Sequence, residues 1–300
     1  MLTLLEAAKL MTSPLAQGVV EIFAANNAVL ERLSFVEVQG NSYRYNREGA
    51  LPGIAFRGIN ESYGESTGVL NPQVETLTIC GGDSDYDVAL VKMGAGSNNL
   101  RAVHDGMKAK ALTLTWLKTF FDGNAETNPR EFDGLNRRLT GSQVIDLPAG
   151  GGTLTLDALD ELVDAVSGTP SALLMNKTMR RKITKLAQNT PAVIMSTDAL
   201  GRPMASYAGV PIGIVEDDAA GNPVLGFDED DGQGNVDTCS IYAVRFDMDG
   251  LHGIQTAAMD VRDLGEQQAK PAYRTRIEWY SGMVVKHPRA AARLRRINNA

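Results

Sequence analysis

The apolar positions of this 300-residue chain change period several times, and those changes divide it. Residues 3–11 carry an amphipathic helical pattern. Thr3 and Glu6 have capping-box spacing, with Thr3 capping the backbone and Glu6 reaching back. Pro14 interrupts the pattern. A second helix is predicted from about Val19 to Leu33, with Val19, Ile22, Phe23, Leu30 and Leu33 on one side. Residues 1–34 therefore read as an arm, apolar on one face and too small to fold alone, which must dock on its own domain or on a neighbour.

From Phe35 to Val91 the period shortens. FVEVQ alternates apolar and polar residues, SYRYN does so more weakly, and GIAFRGI and VETLTIC are strand-like. REGALPG and NESYGESTGVLNPQ, rich in Gly, Ser, Asn and Pro, lie between them. The pattern predicts a long β-hairpin with an irregular interior, too poor in apolar residues to pack alone and so projecting.

Residues 97–121 then predict a long helix. Leu100, Val103, Met107, Ala111, Leu114, Leu117 and Phe121 form one apolar stripe, widened by Leu112, Trp116 and Phe120. Ser97 or Asn98 can cap its start, Gly106 weakens it mildly, and Gly123 sits at its end. Beyond GNAETNPREFDG the pattern becomes α/β. LDALDELVDAV is a helix closed by Gly168, and SALLM is a buried strand. Asn176 caps a helix to about Gln188 with Met179, Ile183 and Leu186 inward. YAGVPIGIV and SIYAVRF are strands. A last long strand covers Arg274 to Lys286. Ile277, Trp279, Met283 and Val285 line one face, Arg276, Glu278 and Tyr280 the other, with a bulge expected at Gly282. No internal repeat is visible.

Composition changes this picture little. Hydrophobic residues at 43% allow a sizeable core, and 30 glycines suit a chain with many turns. A net charge of −7 argues against a protein whose main task is gripping nucleic acid, while leaving room for one local basic patch. Cys80 and Cys239 are too few and too far apart for a disulfide framework or a metal site, and read as small buried side chains. MLTLLEAAKL is not a signal peptide, and no apolar run is long enough to span a membrane, so the cytoplasm is the expected place of synthesis.

Candidate chemistry is sparse. His104, His252 and His287 fit no zinc pattern. PAGGGTLTL has glycines before a helix but lacks the Walker ending, and reads as a connection. Asp228, Glu229, Asp230 and Asp231 could offer oxygen ligands to a cation, but miss the EF-hand register and read as an exposed acidic loop. Lys177, Arg180, Arg181, Lys182 and Lys185 crowd one helix. Arg289, Arg293, Arg295 and Arg296 crowd the C-terminus. Both runs read as solvated faces, the sharper alternative being that one meets nucleic acid or a neighbour's acidic loop. No catalytic, cofactor-binding or metal-binding residue is assigned, and no cofactor is expected.

The ordered set of parts resembles the tailed-bacteriophage major capsid proteins of the Hong Kong-97 fold. LTLLEAAKLM and GVVEIFAANNAVLERLSF look like the arm and the entry to the extended loop. SYRYNREGALPGIAFRGINE and GVLNPQVETLTICGGDSDYDVALV look like that loop and its return. SNNLRAVHDGMKAKALTLTWLKTFFDGNAE looks like the spine helix. SALLMNKTMRRKI, YAGVPIGIVED and SIYAVRFDMDGLHGIQ look like axial-domain elements, and RIEWYSGMVVKHPRAAARLRRI looks like the closing strand and tail. The resemblance implies an α+β fold divided into an arm (1–34), an extended loop with peripheral strands (35–91), a spine helix of the peripheral domain (92–127), an axial domain (128–270), and a closing peripheral strand with a C-terminal tail (271–300). It implies no enzyme. The chain would assemble as hexamers and pentamers into an icosahedral shell around double-stranded DNA, contacted non-specifically. Portal and decoration proteins would be partners, with no membrane. The arm starts almost at once, so a separate scaffolding protein is expected. The extended loop has no lysine, so crosslinking through it is not expected. The location implied is the virion, assembled in the host bacterial cytoplasm. The alternatives are an encapsulin-like nanocompartment shell and, more remotely, a metal-dependent hydrolase using the 228–231 loop and a histidine.

Overall fold

A computed structural model describes residues 27–93, 100–186, 193–197, 203–218 and 220–299. The helix expected over residues 3–11 lies outside them, as does most of the one expected over 19–33. The described end of the latter, residues 28–32, is a turn rather than a helix. Asn27 organises it by accepting from the Val29 and Leu30 amides at 2.9 and 3.2 Å. Leu30 and Leu33 are fully buried, as the pattern predicts.

Two sheets make the body. The first is built on β14 (Ala272–Val285). β4 (Thr78–Asp87) pairs antiparallel with β14 over ten residues along one edge. β12 (Leu251–Gln255) and β13 (Asp260–Glu266) share the opposite edge. β1 (Phe35–Glu37) adds in parallel outside β12. The alternation predicted for the long strand holds, with Ile277, Trp279, Met283 and Val285 buried. Gly282 sits in regular register opposite Ile254, so the expected bulge is not there. The pairing slips instead between Asp263 and Gly265 on β13.

The second sheet has the order β5–β15–β11–β6–β9–β8–β7, with β10 (Glu229–Asp230) beside β11. Its strands are β5 (Val144–Asp146), β6 (Ala172–Met175), β7 (Val193–Thr197), β8 (Pro203–Tyr207), β9 (Val210–Ile214), β11 (Val236–Val244) and β15 (Ala291–Ile297). YAGVPIGIV is therefore two strands rather than one. Ala208 and Gly209, both at positive φ, form the two-residue turn that joins them. The C-terminal segment is not a tail of the first sheet. Strand β15 sits between β5 and β11, because AARL supplies small apolar residues that pair on both sides in a buried interior.

Helix α1 (Val88–Met93) precedes the long α2 (Leu100–Asp122). The face α2 buries is turned from the predicted one. Asp105, Ala109, Leu112, Trp116, Leu117, Phe120 and Phe121 are buried, whereas Val103 and Met107 are more than half exposed. The N-terminal half of the helix meets the polar strand β4, where Tyr86 donates to Asp105, and that contact fixes which side turns inward. Towards its C-terminus α2 joins an aromatic cluster that ties the sheets together. Phe35 lies 5.1 Å from Trp279 and 6.2 Å from Trp116, and the two indoles are 5.6 Å apart. Their N–H groups donate to Ser281 and Gln255, each at 3.1 Å, so neither leaves an unsatisfied donor in the core. A Cβ on Gly253 would meet the Phe35 ring at 2.3 Å, so only glycine lets β1 lie on β12.

A second apolar layer covers the other face of the second sheet. It holds α4 (Leu156–Ala165) through Leu159 and Leu162, and α5 (Lys177–Leu186) through Met179 and Ile183. Leu186, expected inward, is 40% exposed. A short helix, α3 (Leu135–Arg138), packs beside the end of α2.

Candidate functional site

The most unusual surface is the projecting hairpin. β2 (Ser42–Ala50) and β3 (Val69–Thr76) pair antiparallel, and residues 51–68 join them without regular structure. Every residue of that connection is exposed. Ile54 is 96% exposed, Ile59 94%, and Phe56 is wholly in solvent. An isolated subunit gains nothing from such a patch, and a patch of this kind marks an interaction site. The loop is nonetheless shaped from within. The Gly53 amide donates to Ser66 Oγ and the Gly58 amide to Glu61 Oε2, each at 2.7 Å. The Arg57 guanidinium lies 5.0 Å from the Tyr63 ring centre.

Its base is anchored by charge. Arg138 donates two hydrogen bonds to the Glu75 carboxylate, at 2.5 and 2.7 Å, with both side chains largely buried. Burial alone would lower the Arg138 pKa, but the bonded Glu75 carboxylate raises it further. Tyr45 donates to the Val285 carbonyl at 3.4 Å. Burial and the Glu75 charge push its phenol up to about 12. Tyr43 stands edge-on to His252, whose imidazole is fully buried. Burial and the Lys286 charge lower the His252 pKa, which favours the neutral ring. His104 is exposed beside Tyr86, and the half-buried His287 accepts from the Arg289 amide. The three histidines lie in separate places.

A polar cleft of about 410 Å³ opens where the end of α2 meets the second sheet. Asp122, Asn136, Asp228, Glu229, Arg293 and Arg295 line it. Arg293 is buried. It donates to Ser240 at 2.9 Å, to Glu229 at 2.7 Å and to Asn136, and lies over the Tyr242 ring. Partial withdrawal from water within the cleft, reinforced by the Glu229 and Asp228 charges, pushes the still solvent-accessible Asp122 up to about 6.

The acidic run is thus not a simple exposed loop. Glu229 is bound to Arg293, and Asp231 is buried, accepting from the Gln233 and Asn235 amides to shape the turn before β11. Among the described residues no group of three or more acidic, His or Cys side chains could hold a metal ion. The C-terminal arginines are not a solvated face either. Arg289 donates to the Asp164 and Ala165 carbonyls, capping α4, and both Arg295 and Arg296 pair with Asp146. The basic run on α5 does face solvent. The glycine run is a turn held in place, since the Gly150 amide donates to the Asp231 carbonyl and the Gly152 amide to that of Arg296. Cys80 and Cys239 are free thiols, pushed up by burial to about 11 and about 12.

Sequence reasoning missed two features. One is the Arg138–Glu75 anchor, whose partners lie 63 residues apart. The other is an ion-pair ladder between β4 and β14. Asp83 accepts two bonds from Arg276 at 2.7 and 2.9 Å, and Asp85 two from Arg274 at 2.6 and 2.8 Å. The alternation of DSD against RTR was the available signal.

The family model of the major capsid protein GP7 matches residues 13–156, just under half of the chain. No curated protein matches by sequence. Solved structures match over nearly the whole chain. The SrpI encapsulin of Synechococcus elongatus PCC 7942 is 15% identical with a TM-score of 0.65, covering 91% of this chain and 88% of its own. The capsid of the native GTA particle is 14% identical with a TM-score of 0.64, covering 90% of each chain. A Mycobacterium phage Bobi chain is 13% identical with a TM-score of 0.63, covering 96% of each. Identities this low speak for the shared fold, which is the Hong Kong-97-like shell fold.

Proposed function

We propose that this chain is a major capsid protein of the Hong Kong-97-like fold that builds a shell from many copies. The first sheet with α2 acts as the peripheral domain, and the second sheet with α4 and α5 acts as the axial domain. Copies gather as hexamers and pentamers and close an icosahedral shell around double-stranded DNA, contacted without sequence preference. The role is structural rather than catalytic. A separate scaffolding protein guides assembly in the host bacterial cytoplasm, and portal and decoration proteins join the same virion.

The observation that carries this reading is the hairpin tip. Ile54, Phe56 and Ile59 are held in a shaped loop yet have nothing to pack on within the subunit. Burying three such side chains on an adjacent copy would contribute roughly 1.5–3 kcal/mol each before the costs of association. Because the hairpin carries no lysine, the contact is non-covalent on its side, and a ladder of covalent multimers on a denaturing gel would contradict that. The decisive experiment is electron microscopy of the full chain, expressed with and without a scaffold. Closed shells are expected for the natural sequence. Phe56→Asp should leave a folded subunit, with unchanged circular dichroism, that no longer closes shells. Shells formed equally well by that variant would remove the hairpin from the contact.

A second reading, a nanocompartment shell enclosing protein, is favoured by the encapsulin likeness. The contents of purified particles separate the two, as packaged DNA or as protein cargo.

A further inference from the structure

Two helices on one face of the second sheet carry opposite charge. Helix α4 exposes Asp157, Asp160, Glu161 and Asp164 and contains no base. Helix α5 exposes Lys177, Arg180, Arg181 and Lys185 and contains no acid. Both are anchored through the same apolar layer, so both turn their charged sides away from it. Spacings of three and four gather each set into one outward stripe. At 1.5 Å per residue each stripe runs roughly 10–12 Å, so the two match in length as well as in sign.

Within the subunit these charges are almost unused. Among the described residues the only ion pair any of the eight side chains makes is Lys177 with Glu216, at 3.8 Å. Asp160 accepts from the Tyr207 hydroxyl at 2.6 Å, a neutral partner. Four like charges along one helix repel each other by a few tenths of a kcal/mol per pair, and an isolated subunit carries that cost twice. A second copy of the chain offers each stripe its complement. Because the acidic patch of one copy meets a different, basic patch of the next, the contact can repeat head to tail and close as a ring.

We propose that α4 of one subunit docks against α5 of the adjacent subunit, so that an acidic-to-basic helix contact sets register and order around each ring. This rests on the shell reading, since it needs rings of copies to act in. Such pairing contributes specificity and association rate more than affinity, and it weakens with added salt.

The test uses the full chain in conditions where the natural sequence forms shells; if it never forms them, the shell reading fails rather than this contact. Two variants reverse the sign of one stripe each: Asp157→Lys, Glu161→Lys and Asp164→Lys on α4, which spares the Asp160 bonded to Tyr207, and Arg180→Glu, Arg181→Glu and Lys185→Glu on α5, which spares the Lys177 paired with Glu216. Each should remain folded by circular dichroism yet lose sedimenting shells. The chain carrying all six substitutions, which exchanges the net signs of the two stripes, should regain them. Normal shells from both single-stripe variants would overturn the proposal, as would failure of the exchanged chain while each parent variant folds. Normal shells from the α5 variant with reduced DNA retention would assign the basic stripe to a polyanion, and would also overturn it.

Discussion

Arg138 shows how one side chain can hold a projecting element. Its guanidinium spans from α3 to Glu75 on β3, with both groups largely withdrawn from water. Removing one partner leaves the other charge uncompensated. Arg138→Met should therefore cost about 3 kcal/mol, read as a fall in the urea midpoint, with faster hydrogen exchange in β2 and β3. Asp122 behaves in the opposite way. Its carboxyl is pushed up to about 6, so the folded chain holds a proton there that the unfolded chain gives up near the ordinary value of 3.8. The stabilisation linked to that proton is full below the ordinary value and lost as pH rises through about 6. Asp122→Asn should raise the melting temperature at pH 7 and change it little at pH 4. Equal shifts at both pH values would mean that Asp122 does not titrate in this way. Neither role was legible in the sequence, because each depends on partners brought from elsewhere in the chain.

Helix α2 was legible as an element but not in its rotation. Its length and apolar content followed from spacing alone, and its exit at Gly123 was correctly placed. Leu114 looked central and is only half-buried, whereas Trp116 is enclosed by Phe35, Phe120, Phe132 and Trp279. Trp116→Ala should cost about 3–5 kcal/mol by chemical denaturation. Strand β4 was legible as a strand only at its start, within VETLTIC, because the rest of it, GGDSDYD, has no apolar alternation and Tyr86 as its one strong β-former. The arginines of β14 make it one. Bonding to Arg276 and Arg274 holds Asp83 and Asp85 below the usual carboxylate range. Their contribution is present above the ordinary value and lost as pH falls through the depressed one. Replacing both by Asn should lower the melting temperature at pH 7, with the deficit shrinking in about 1 M salt, where these exposed charges are screened. A deficit independent of salt would point to lost hydrogen bonds rather than charge.

The chain passes between the two sheets three times, from β4 to β5 by way of α2, from β11 to β12 and from β14 to β15, and the last two crossings are neighbours. They are held together by the Arg245 amide donating to Ala290 and the Lys286 amide donating to Gly250. One apolar cluster runs through the junction, from Leu30 and Trp116 to Tyr242 and Val244. The hairpin tip and the charged faces of α4 and α5 lie outside this cluster, exposed.

By itself the sequence determined the order of parts: projecting hairpin, long helix, α/β region and returning strand. Those calls rest on period and turn chemistry, which act over a few residues. It also showed that the histidines, cysteines and acids lack the spacings that bring ligands together locally. Only the tertiary structure decided which face of α2 turns inward, that YAGVPIGIV folds back on itself, and that the C-terminal strand lies inside the second sheet. It alone converted Arg289, Arg293, Arg295 and Arg296 from an apparent basic tail into internal partners of carbonyls and carboxylates. The physical reason is common to all of these. Burial and pairing are settled by segments dozens or hundreds of residues apart, and a charge reads as exposed until its partner strand arrives beside it.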